Sequence, residues 1–388
     1  MNCTTWIEIN KTALEHNIQQ YRQWLPQSTK ISAVVKANAY GHGIVEMGQL
    51  HQQNPLIARM CVANSAEALQ LRKAGVTKPI LVLGFINTPL TTVAEYDLDI
   101  LISDITMIYD LNIVGQTFNK IINLHVKIDT GLSRLGFLPH EAQQAFDIIK
   151  SLPFVKLQAI CSHFTEAYNP ELVHKQEEVL KPFWQDNIEI HIANSNGSLH
   201  TKYTYDFVRI GAGLYGYLPE ADPIKQQLLQ PVLSLKTKVI GLKKVPAGVS
   251  VGYGSTTYVT TKPTTIAVLG VGYYEGIDPE LSSCGKVIIH DEFAPIVGRI
   301  NMNYFMVDVT HIPQTNLHDI AIVLGYSATK SISAYDWRIG AKRNVRLFLG
   351  RFNDNITRII TEQPIVTAMN SVTHNPQINT QNNLDALL

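Results

Sequence analysis

One lysine ends an apolar β-type run and opens a loop that is rich in glycine. Residues 31–35 form the run, Lys36 follows it, and the loop then reads Ala-Asn-Ala-Tyr-Gly-His-Gly, with its tyrosine at Tyr40. A lysine at the end of a buried strand loses hydration, which disfavours its charged form. Because the neutral amine condenses with aldehydes, Lys36 is a candidate Schiff-base lysine. The plainer alternative is a lysine whose stem packs on the strand while its ammonium group stays in water.

Polar residues also follow later apolar runs of the first half, and most of them are cationic or suited to binding anions. They are Lys127, Arg134, His163, Ser195, Arg209, Gly211 and Ala212. The Ser195 hydroxyl and the backbone N–H groups at Gly211 and Ala212 are suitable donors to a phosphate group. Taken singly, the arginines have a structural alternative as ion-pair partners of Asp129 and Asp206, and Lys127 has a similar alternative. Taken together, the set predicts a phosphorylated, anionic ligand.

The elements that must position these residues alternate between strand and helix. The predicted strands are residues 31–35, 60–63, 80–83, 100–102, 124–128, 157–161, 188–192 and 207–210. Eight near-continuous apolar runs with helices between them are typical of a (β/α)8 barrel, in which chemistry gathers where the strands end. We predict this barrel over residues 10–225. An open, doubly wound sheet gives the same periodicity, although no GxGxxG motif follows the first run.

The second half of the chain has a different pattern of apolar runs. Residues 232–240, 264–269, 286–290, 305–309 and 320–324 are β-type runs separated by Gly, Pro and Asn. They predict a mostly antiparallel β domain over residues 226–370, joined by a strand from residues 4–9. A helix is predicted from about residue 11 to residue 24. The tail over residues 371–388, which is rich in Asn, Gln and Thr, is predicted to be disordered.

Composition excludes several classes of function. The 388 residues are enough for two domains, and Lys+Arg and Asp+Glu both total 32, so the net charge is zero. No basic block indicates a nucleic-acid partner, and no apolar run or leader indicates a membrane partner or secretion. The four cysteines show neither zinc-site nor disulfide spacing. We expect a cytoplasmic protein with a small-molecule substrate and no metal.

Several segments resemble the alanine racemase family of pyridoxal-phosphate (PLP) enzymes. Residues 34–43 are similar to the family's PLP-lysine motif, and residues 126–136 to a segment whose lysine is often carbamylated. Residues 162–164, 191–195 and 208–211 then occur in the family's order. In the second domain, residues 251–254, 272–276 and 298–302 resemble the family's base, entrance and carboxylate loops. The resemblance covers the chain to about residue 353 and implies PLP as cofactor and a homodimer with shared active sites.

The resemblance also implies a role for each residue. The implied cofactor contacts are Lys36, Tyr40, His163, Ser195, Arg209, Gly211, Ala212 and Tyr335. The implied substrate contacts are Arg134, Tyr273 and Met302, and Lys127 is a candidate for carbamylation. Arg209 is implied to face the pyridine nitrogen, which a guanidinium group does not protonate, so the ring becomes a weaker electron sink.

Inverting a stereocentre requires one acid-base group on each face of the α-carbon. The implied pair is Lys36 for the D-isomer and Tyr253 of the partner subunit for the L-isomer. Nearby cations are needed to favour the phenolate of Tyr253, and His163 and the arginines are the candidates. Two departures from the family pattern concern the entrance, where the usual aspartates are replaced by Glu275 and Asn303.

The predicted function is therefore the interconversion of L- and D-alanine, which supplies D-alanine for peptidoglycan. One alternative is a racemase for serine or for a broader range of amino acids. Another is a non-catalytic PLP-binding protein, which would lack the large β domain. A PLP-dependent decarboxylase and a PLP-independent Schiff-base aldolase are the remaining alternatives.

Overall fold

The computed structural model describes residues 3–201, 203–218, 222–254, 258–341 and 349–364. The predicted disordered tail, residues 371–388, lies outside the described residues. The chain begins with strand β1 (Thr5–Asn10), which joins the second sheet, and helix α1 (Lys11–Trp24). Asn10 caps this helix, because its side-chain oxygen accepts from the N–H of Ala13 at 3.2 Å.

Eight parallel strands then form a barrel. They are β2 (Lys30–Val34), β3 (Ile57–Asn64), β4 (Ile80–Phe85), β5 (Leu98–Ile102), β6 (Ile122–Lys127), β7 (Val155–Cys161), β8 (Glu189–His191) and β9 (Phe207–Ile210). Their order is β8-β7-β6-β5-β4-β3-β2-β9. The N–H of Asp206 donates to Ile190 O at 3.1 Å and the N–H of Arg209 donates to Ala193 O at 2.9 Å, so the two edges nearly close. The barrel prediction is confirmed, and the open-sheet alternative is wrong.

Helices cover the outside of the barrel. After the single turn α2 (Lys36–Tyr40), which lies at the end of β2, they are α3 (Ile44–Gln53), α4 (Ser65–Lys73), α5 (Thr92–Glu95), α6 (Ile105–Phe118), α7 (Ala142–Ser151), α8 (Pro170–Leu180) and α9 (Pro223–Leu228). Inside the barrel, five strands each contribute one side chain to a small apolar cluster that is separate from the main core. Its members are Val34, Cys61, Leu81, Leu101 and Cys161. This filled interior is a packed layer of the kind expected in such barrels.

The second sheet has nine strands and is mostly antiparallel. After β1 its members are β10 (Leu233–Val245), β11 (Thr264–Leu269), β12 (Lys286–Ile289), β13 (Glu292–Val297), β14 (Phe305–Asp308), β15 (Ile320–Tyr326), β16 (Ser331–Ile332) and β17 (Thr357–Thr361), with α10 (Ala334–Ala341) before the last strand. The order is β16-β15-β12-β13-β14-β11-β10-β1-β17. β1 runs antiparallel to β10 and parallel to β17. The predicted fold class is confirmed, although β13, β16 and β17 were not among the predicted strands.

None of the helices in the described ranges combines the length and the apolar character needed to cross a bilayer.

Candidate active site

Lys36 begins a single left-handed turn directly after β2. Ala37, Asn38, Ala39 and Tyr40 have φ values of 52°, 51°, 51° and 55°. This conformation is costly for residues with a Cβ atom, so neighbouring groups must hold it.

Glu67 supplies part of this support from helix α4. One of its carboxylate oxygens accepts from the N–H of Ala37 at 2.7 Å, and the other accepts from the N–H of Ala63 at 2.7 Å. Lys36 itself is half-buried. The end of β3, the second barrel strand, and the start of the lysine turn are therefore fixed to the same carboxylate.

His42 stabilises the far end of the turn. Its Nδ1–H faces the carbonyl oxygens of Ala39 and Tyr40, each at 3.0 Å, and its ring stacks on Tyr215 at 4.4 Å. Burial lowers the pKa of His42 to about 4, so the ring is neutral near pH 7. His42 therefore serves as structural support for the loop.

Tyr40, Ser195 and Gly211 come together at the end of β9. The Ser195 hydroxyl oxygen accepts from the N–H of Gly211 at 3.1 Å and from the N–H of Gly213 at 3.3 Å. A Cβ atom on Gly211 would lie 2.5 Å from the Tyr40 hydroxyl oxygen, so this close approach requires glycine. Because the Ser195 hydroxyl oxygen accepts two N–H bonds, its own hydrogen points elsewhere. Ala212 follows Gly211 directly in the chain. The group has the donor character that a phosphate needs.

Arg209 lies in the barrel with its guanidinium group almost fully buried. Its NH2 group donates to Ser162 O at 2.8 Å, to Ile192 O at 3.0 Å and to His163 Nδ1 at 3.1 Å. Its NH1 group donates to Nδ1 and to the carbonyl oxygen of His191. Among the described residues the Nε–H group has no partner, so one of the five donors remains for a ligand. The alternative ion pair with Asp206 is wrong, because that carboxylate accepts from the N–H of Ile190 at 2.7 Å.

His163 is surrounded by cationic side chains. Burial lowers its pKa well below the usual value, and Arg209, Arg134, Lys127 and Lys36 lower it further. The imidazole is therefore neutral near pH 7, and its Nδ1 accepts from Arg209. The expectation that His163 is one of the cations favouring a tyrosine phenolate is wrong, because burial and the neighbouring cationic side chains hold its imidazole in the neutral form.

Lys127 points into the same region from the end of β6 and is buried, whereas Arg134 is exposed. Burial lowers the pKa of Lys127, and Arg134 and Arg209 add to the effect. Lys127 makes no ion pair with a carboxylate in the described part of the chain, so the alternative of a structural ion pair is wrong. The lowered pKa increases the fraction of neutral amine, which is the form that reacts with carbon dioxide.

Three loops of the second domain carry exposed apolar side chains. We call this set the aromatic patch, and it consists of Tyr253, Tyr273, Tyr274, Met302 and Tyr304. Tyr253 is 71% exposed and Met302 is 54% exposed. The N–H of Tyr273 donates to Asn301 O at 3.0 Å and that of Tyr274 donates to Met302 O at 2.9 Å, so two of the loops are joined. Clustered apolar exposure of this kind is typical of a surface that binds a partner.

The two departures from the family pattern contact each other. Glu275 Oε2 accepts from the N–H of Gly272 at 2.8 Å, and Glu275 Oε1 accepts from Asn303 Nδ2 at 3.5 Å. The side chain of Glu275, which is longer than that of aspartate, thus caps its own turn and reaches the loop that carries Met302.

Tyr335 is placed by a different set of contacts. Its hydroxyl group donates to Leu218 O at 2.6 Å and approaches Gln226 Oε1 at 2.8 Å. These contacts attach α10 to the segment that follows the barrel. The role of Tyr335 as a phosphate contact stays a prediction.

Two buried residues beneath Arg209, namely His125 and Asp99, were not predicted. His191 Nε2 lies 2.9 Å from His125 Nδ1, and His125 Nε2 lies 3.9 Å from the carboxylate of Asp99. His125 precedes Lys127 by two positions on β6, so strand alternation alone places both side chains on the same face. That signal was available in the sequence.

Comparison with known proteins agrees with this geometry. Residues 9–219 match the family model described as alanine racemase, N-terminal domain, and residues 232–360 match alanine racemase, C-terminal domain. An alanine racemase of Methylacidiphilum infernorum is 36% identical over 338 residues, which cover 85% of this chain and 86% of the relative. An alanine racemase of Halothermothrix orenii is 36% identical over 343 residues, which cover 86% of this chain and 90% of the relative.

Solved structures show the same likeness. Alanine racemase of Clostridium difficile 630 superposes with a TM-score of 0.86 at 29% identity, covering 94% of this chain and 97% of that chain. Histidine racemase from Leuconostoc mesenteroides subsp. sake superposes with a TM-score of 0.85 at 26% identity, covering 93% and 99%. The chain therefore belongs to the alanine racemase family and is a racemase enzyme.

Proposed function

We propose that this racemase interconverts L- and D-alanine and that it holds PLP through Lys36. The observation that carries the proposal is the meeting, at one end of the barrel, of Lys36, the donors around Ser195 and the remaining N–H of Arg209. Bound PLP supplies the electron sink that makes the α-hydrogen of an attached amino acid acidic.

The described residues fit this cofactor chemically. The Ser195 hydroxyl, the N–H group at Ala212 and the Tyr40 hydroxyl would hold the phosphate group, and the N–H group at Gly211 would turn to it from the Ser195 hydroxyl oxygen. The Nε–H of Arg209 would face the ring nitrogen. Because a guanidinium group keeps its proton, Arg209 would leave that nitrogen unprotonated and limit the ring's capacity to withdraw electrons.

Two side chains move the proton in this proposal. The amine of Lys36 serves one face of the α-carbon, and the phenol of Tyr253 from the partner subunit serves the other. The strong exposure of Tyr253 and Met302 supports a homodimer in which the aromatic patch completes the site of the second copy. Arg134 and Met302 would hold the substrate carboxylate, and Tyr273 would line the entrance.

The family favours alanine as the substrate, and D-alanine for peptidoglycan is the proposed use of the product. A second candidate is a racemase for a different amino acid. Two observations favour it, namely the likeness to a histidine racemase and the replacement of both entrance aspartates by Glu275 and Asn303. The four free cysteines support placement in the cytoplasm.

Mixing two inactive variants tests the shared site. Lys36→Ala and Tyr253→Phe should each lose nearly all racemase activity. After dissociation and reassociation together, half of the dimers would be mixed and would contain one intact site, so about a quarter of the native activity should return. No recovery in a preparation shown to contain mixed dimers would contradict the shared site.

A second experiment tests the cofactor and the substrate. Borohydride reduction of enzyme loaded with PLP should attach a pyridoxyl group to Lys36, located by peptide mass spectrometry. Incubation with each L-amino acid in deuterated water should exchange the α-hydrogen fastest for alanine. Faster exchange with serine or histidine would favour the second candidate.

A further inference from the structure

We infer that residues 349–358, which we call the C-terminal strap, position Lys36 and couple its turn to the substrate entrance. Asp354 and Arg358 are the positioning residues on the lysine side. Arg351 and Asn353 are their counterparts on the entrance side. The inference rests on the proposed function for its catalytic meaning, whereas the contacts themselves do not depend on it.

On the lysine side, the strap contacts the left-handed turn through two side chains. Asn38 Nδ2 donates to Asp354 Oδ1 at 2.6 Å. Arg358 donates to the carbonyl oxygen of Gly41 through Nε at 3.2 Å and through NH2 at 3.1 Å. Since Asn38 also accepts from the N–H of Ile44 at 2.7 Å, the strap fixes the residue that joins the turn to α3.

Arg358 also holds the strap itself together. Its NH1 group donates to Asp354 O at 2.9 Å and to Ile356 O at 2.7 Å, and its NH2 group donates to Asn353 O at 3.3 Å. One planar guanidinium group therefore connects the strap backbone to the carbonyl group of Gly41. A lysine has no planar fork with which to replace these contacts.

On the entrance side, the strap holds the loop that carries Tyr273, Tyr274 and Glu275. The N–H of Asn353 donates to Glu275 O at 3.3 Å, and its Nδ2 donates to Tyr274 O at 3.4 Å. Arg351 NH1 lies 3.2 Å from the buried carboxylate of Asp278.

Two glycines allow the lysine turn and the entrance loop to contact the same stretch of strap backbone. Gly41 has φ +81°, and a Cβ atom there would lie 1.9 Å from Leu349 O. Gly276 has φ +107°, and a Cβ atom there would lie 2.7 Å from Arg351 O. Neither site leaves room for a side chain, and the left-handed backbone also favours glycine at both. The lysine turn and the entrance loop are thus in direct contact with backbone atoms only two residues apart.

This arrangement has a particular meaning in the proposed dimer. Lys36 acts in the site of its own barrel, whereas Tyr273 and Met302 of the same chain serve the site of the partner. The strap therefore connects the lysine of one active site to the entrance of the other. Movement of the entrance loop on substrate binding at one site would reach the lysine turn of the second site.

Hydrogen exchange of the full-length dimer, with and without PLP, tests the inference. Asp354→Ala and Arg358→Lys should speed amide exchange in residues 36–44 by about five-fold or more, the effect of losing about one hydrogen bond. Arg351→Ala removes only an entrance-side contact. If the strap couples the two loops, that variant should also speed exchange in residues 36–44, in addition to residues 272–278.

Kinetics add a readout that a purely structural role would not change. Asp354→Ala should weaken PLP binding by about five-fold in a titration followed by absorbance and should lower kcat, with KM little affected. The matched control is Glu362→Gln, which breaks the exposed ion pair with Lys11 at 2.7 Å beyond the strap and should change none of these values.

Three results would overturn the inference. If residues 36–44 of both Asp354→Ala and Arg358→Lys exchange their amide hydrogens at the native rate, the positioning role is refuted. An effect of Arg351→Ala confined to residues 272–278 would refute the coupling. If amide exchange in residues 36–44 is equally fast in Glu362→Gln, the substitutions loosen the chain in general. Failure of the native protein to bind PLP would refute the proposed function and leave the exchange results interpretable.

Discussion

The guanidinium group of Arg209 donates to Nδ1 of His191, and this contact determines the protonation of two buried histidines. Arginine has donors only, so His191 Nδ1 carries no hydrogen and its Nε2 does. That Nε2–H group donates to His125 Nδ1 at 2.9 Å. His125 must then carry its own hydrogen on Nε2, which faces the carboxylate of Asp99 at 3.9 Å. The hydrogen bonds therefore run in one direction, away from Arg209.

The first prediction follows from this direction. In nitrogen-15 NMR spectra of histidine-labelled enzyme, His125 and His191 should both appear as neutral rings with the hydrogen on Nε2. Burial and the nearby arginines lower the pKa of both well below the usual value, so both rings should be neutral at pH 7. A ring with its hydrogen on Nδ1, or a charged ring at pH 7, would contradict the assignment.

The second prediction concerns stability in acid. Burial lowers the pKa of His51 to about 3, with smaller effects from Lys78 and His42. The unfolded chain therefore binds the proton first as pH falls. Stability from this group is complete above about pH 6.5 and is lost as pH falls toward 3.

His51→Leu removes that dependence while keeping a side chain of similar size. Between pH 7 and pH 5 the variant should lose about 2 kcal/mol less of its free energy of unfolding than the native protein loses. Urea unfolding at the two pH values measures the difference. Equal losses in the two proteins would show that His51 is protonated in the folded state.

The third prediction concerns Lys127. Its lowered pKa favours addition of carbon dioxide to the neutral amine with release of a proton, and the resulting carbamate would place a negative charge among Arg134, Arg209 and His163. Enzyme equilibrated with carbon-13 bicarbonate should show a carbamate signal that disappears in Lys127→Ala. The same signal in both proteins would assign it to another amine.

The fourth prediction concerns the entrance. In Asn303→Asp, a second carboxylate would face Glu275 across a contact that is now 3.5 Å, so the two loops should separate. Because Asn303 is exposed, screening limits the effect, and we expect KM to rise about three-fold to ten-fold with a smaller change in kcat.

The double variant Glu275→Gln/Asn303→Asp removes this repulsion and should restore KM. Glu275→Gln alone serves as the control, because it shows the effect of losing one of the two acceptor oxygens that serve Gly272 and Asn303. A double variant as impaired as the single Asn303→Asp variant would exclude the pairing as the cause.

Much of the fold could be predicted because the barrel strands are short apolar runs buried on both faces. Among the strands that sequence patterns missed, β13 contains Pro295, which makes a run less strand-like. It follows β12 after His290 and Asp291, whose φ values of 51° and 62° form the tight turn between them. The prediction ended one strand at this turn and did not begin the next.

The candidate site could be predicted only where chemistry and sequence neighbourhood coincide. Lys36 and Arg209 lie at or next to strand ends and are visible for that reason. The residues that hold the lysine turn could not be predicted, because Glu67 is 30 residues from Ala37 in the sequence, and Asp354 is 316 residues from Asn38. The neutral state of His163 depends on burial and on neighbouring cations, which only the fold provides.

The pairing of β1 with both β10 and β17 has a consequence for synthesis of the chain. A nascent polypeptide exposes Thr5–Asn10 long before either of its neighbours has left the ribosome. The barrel strands, which all lie between residues 30 and 210, are complete first. The opening segment must therefore remain unpaired while more than half of the protein is translated, and it can dock fully only when the last strand emerges.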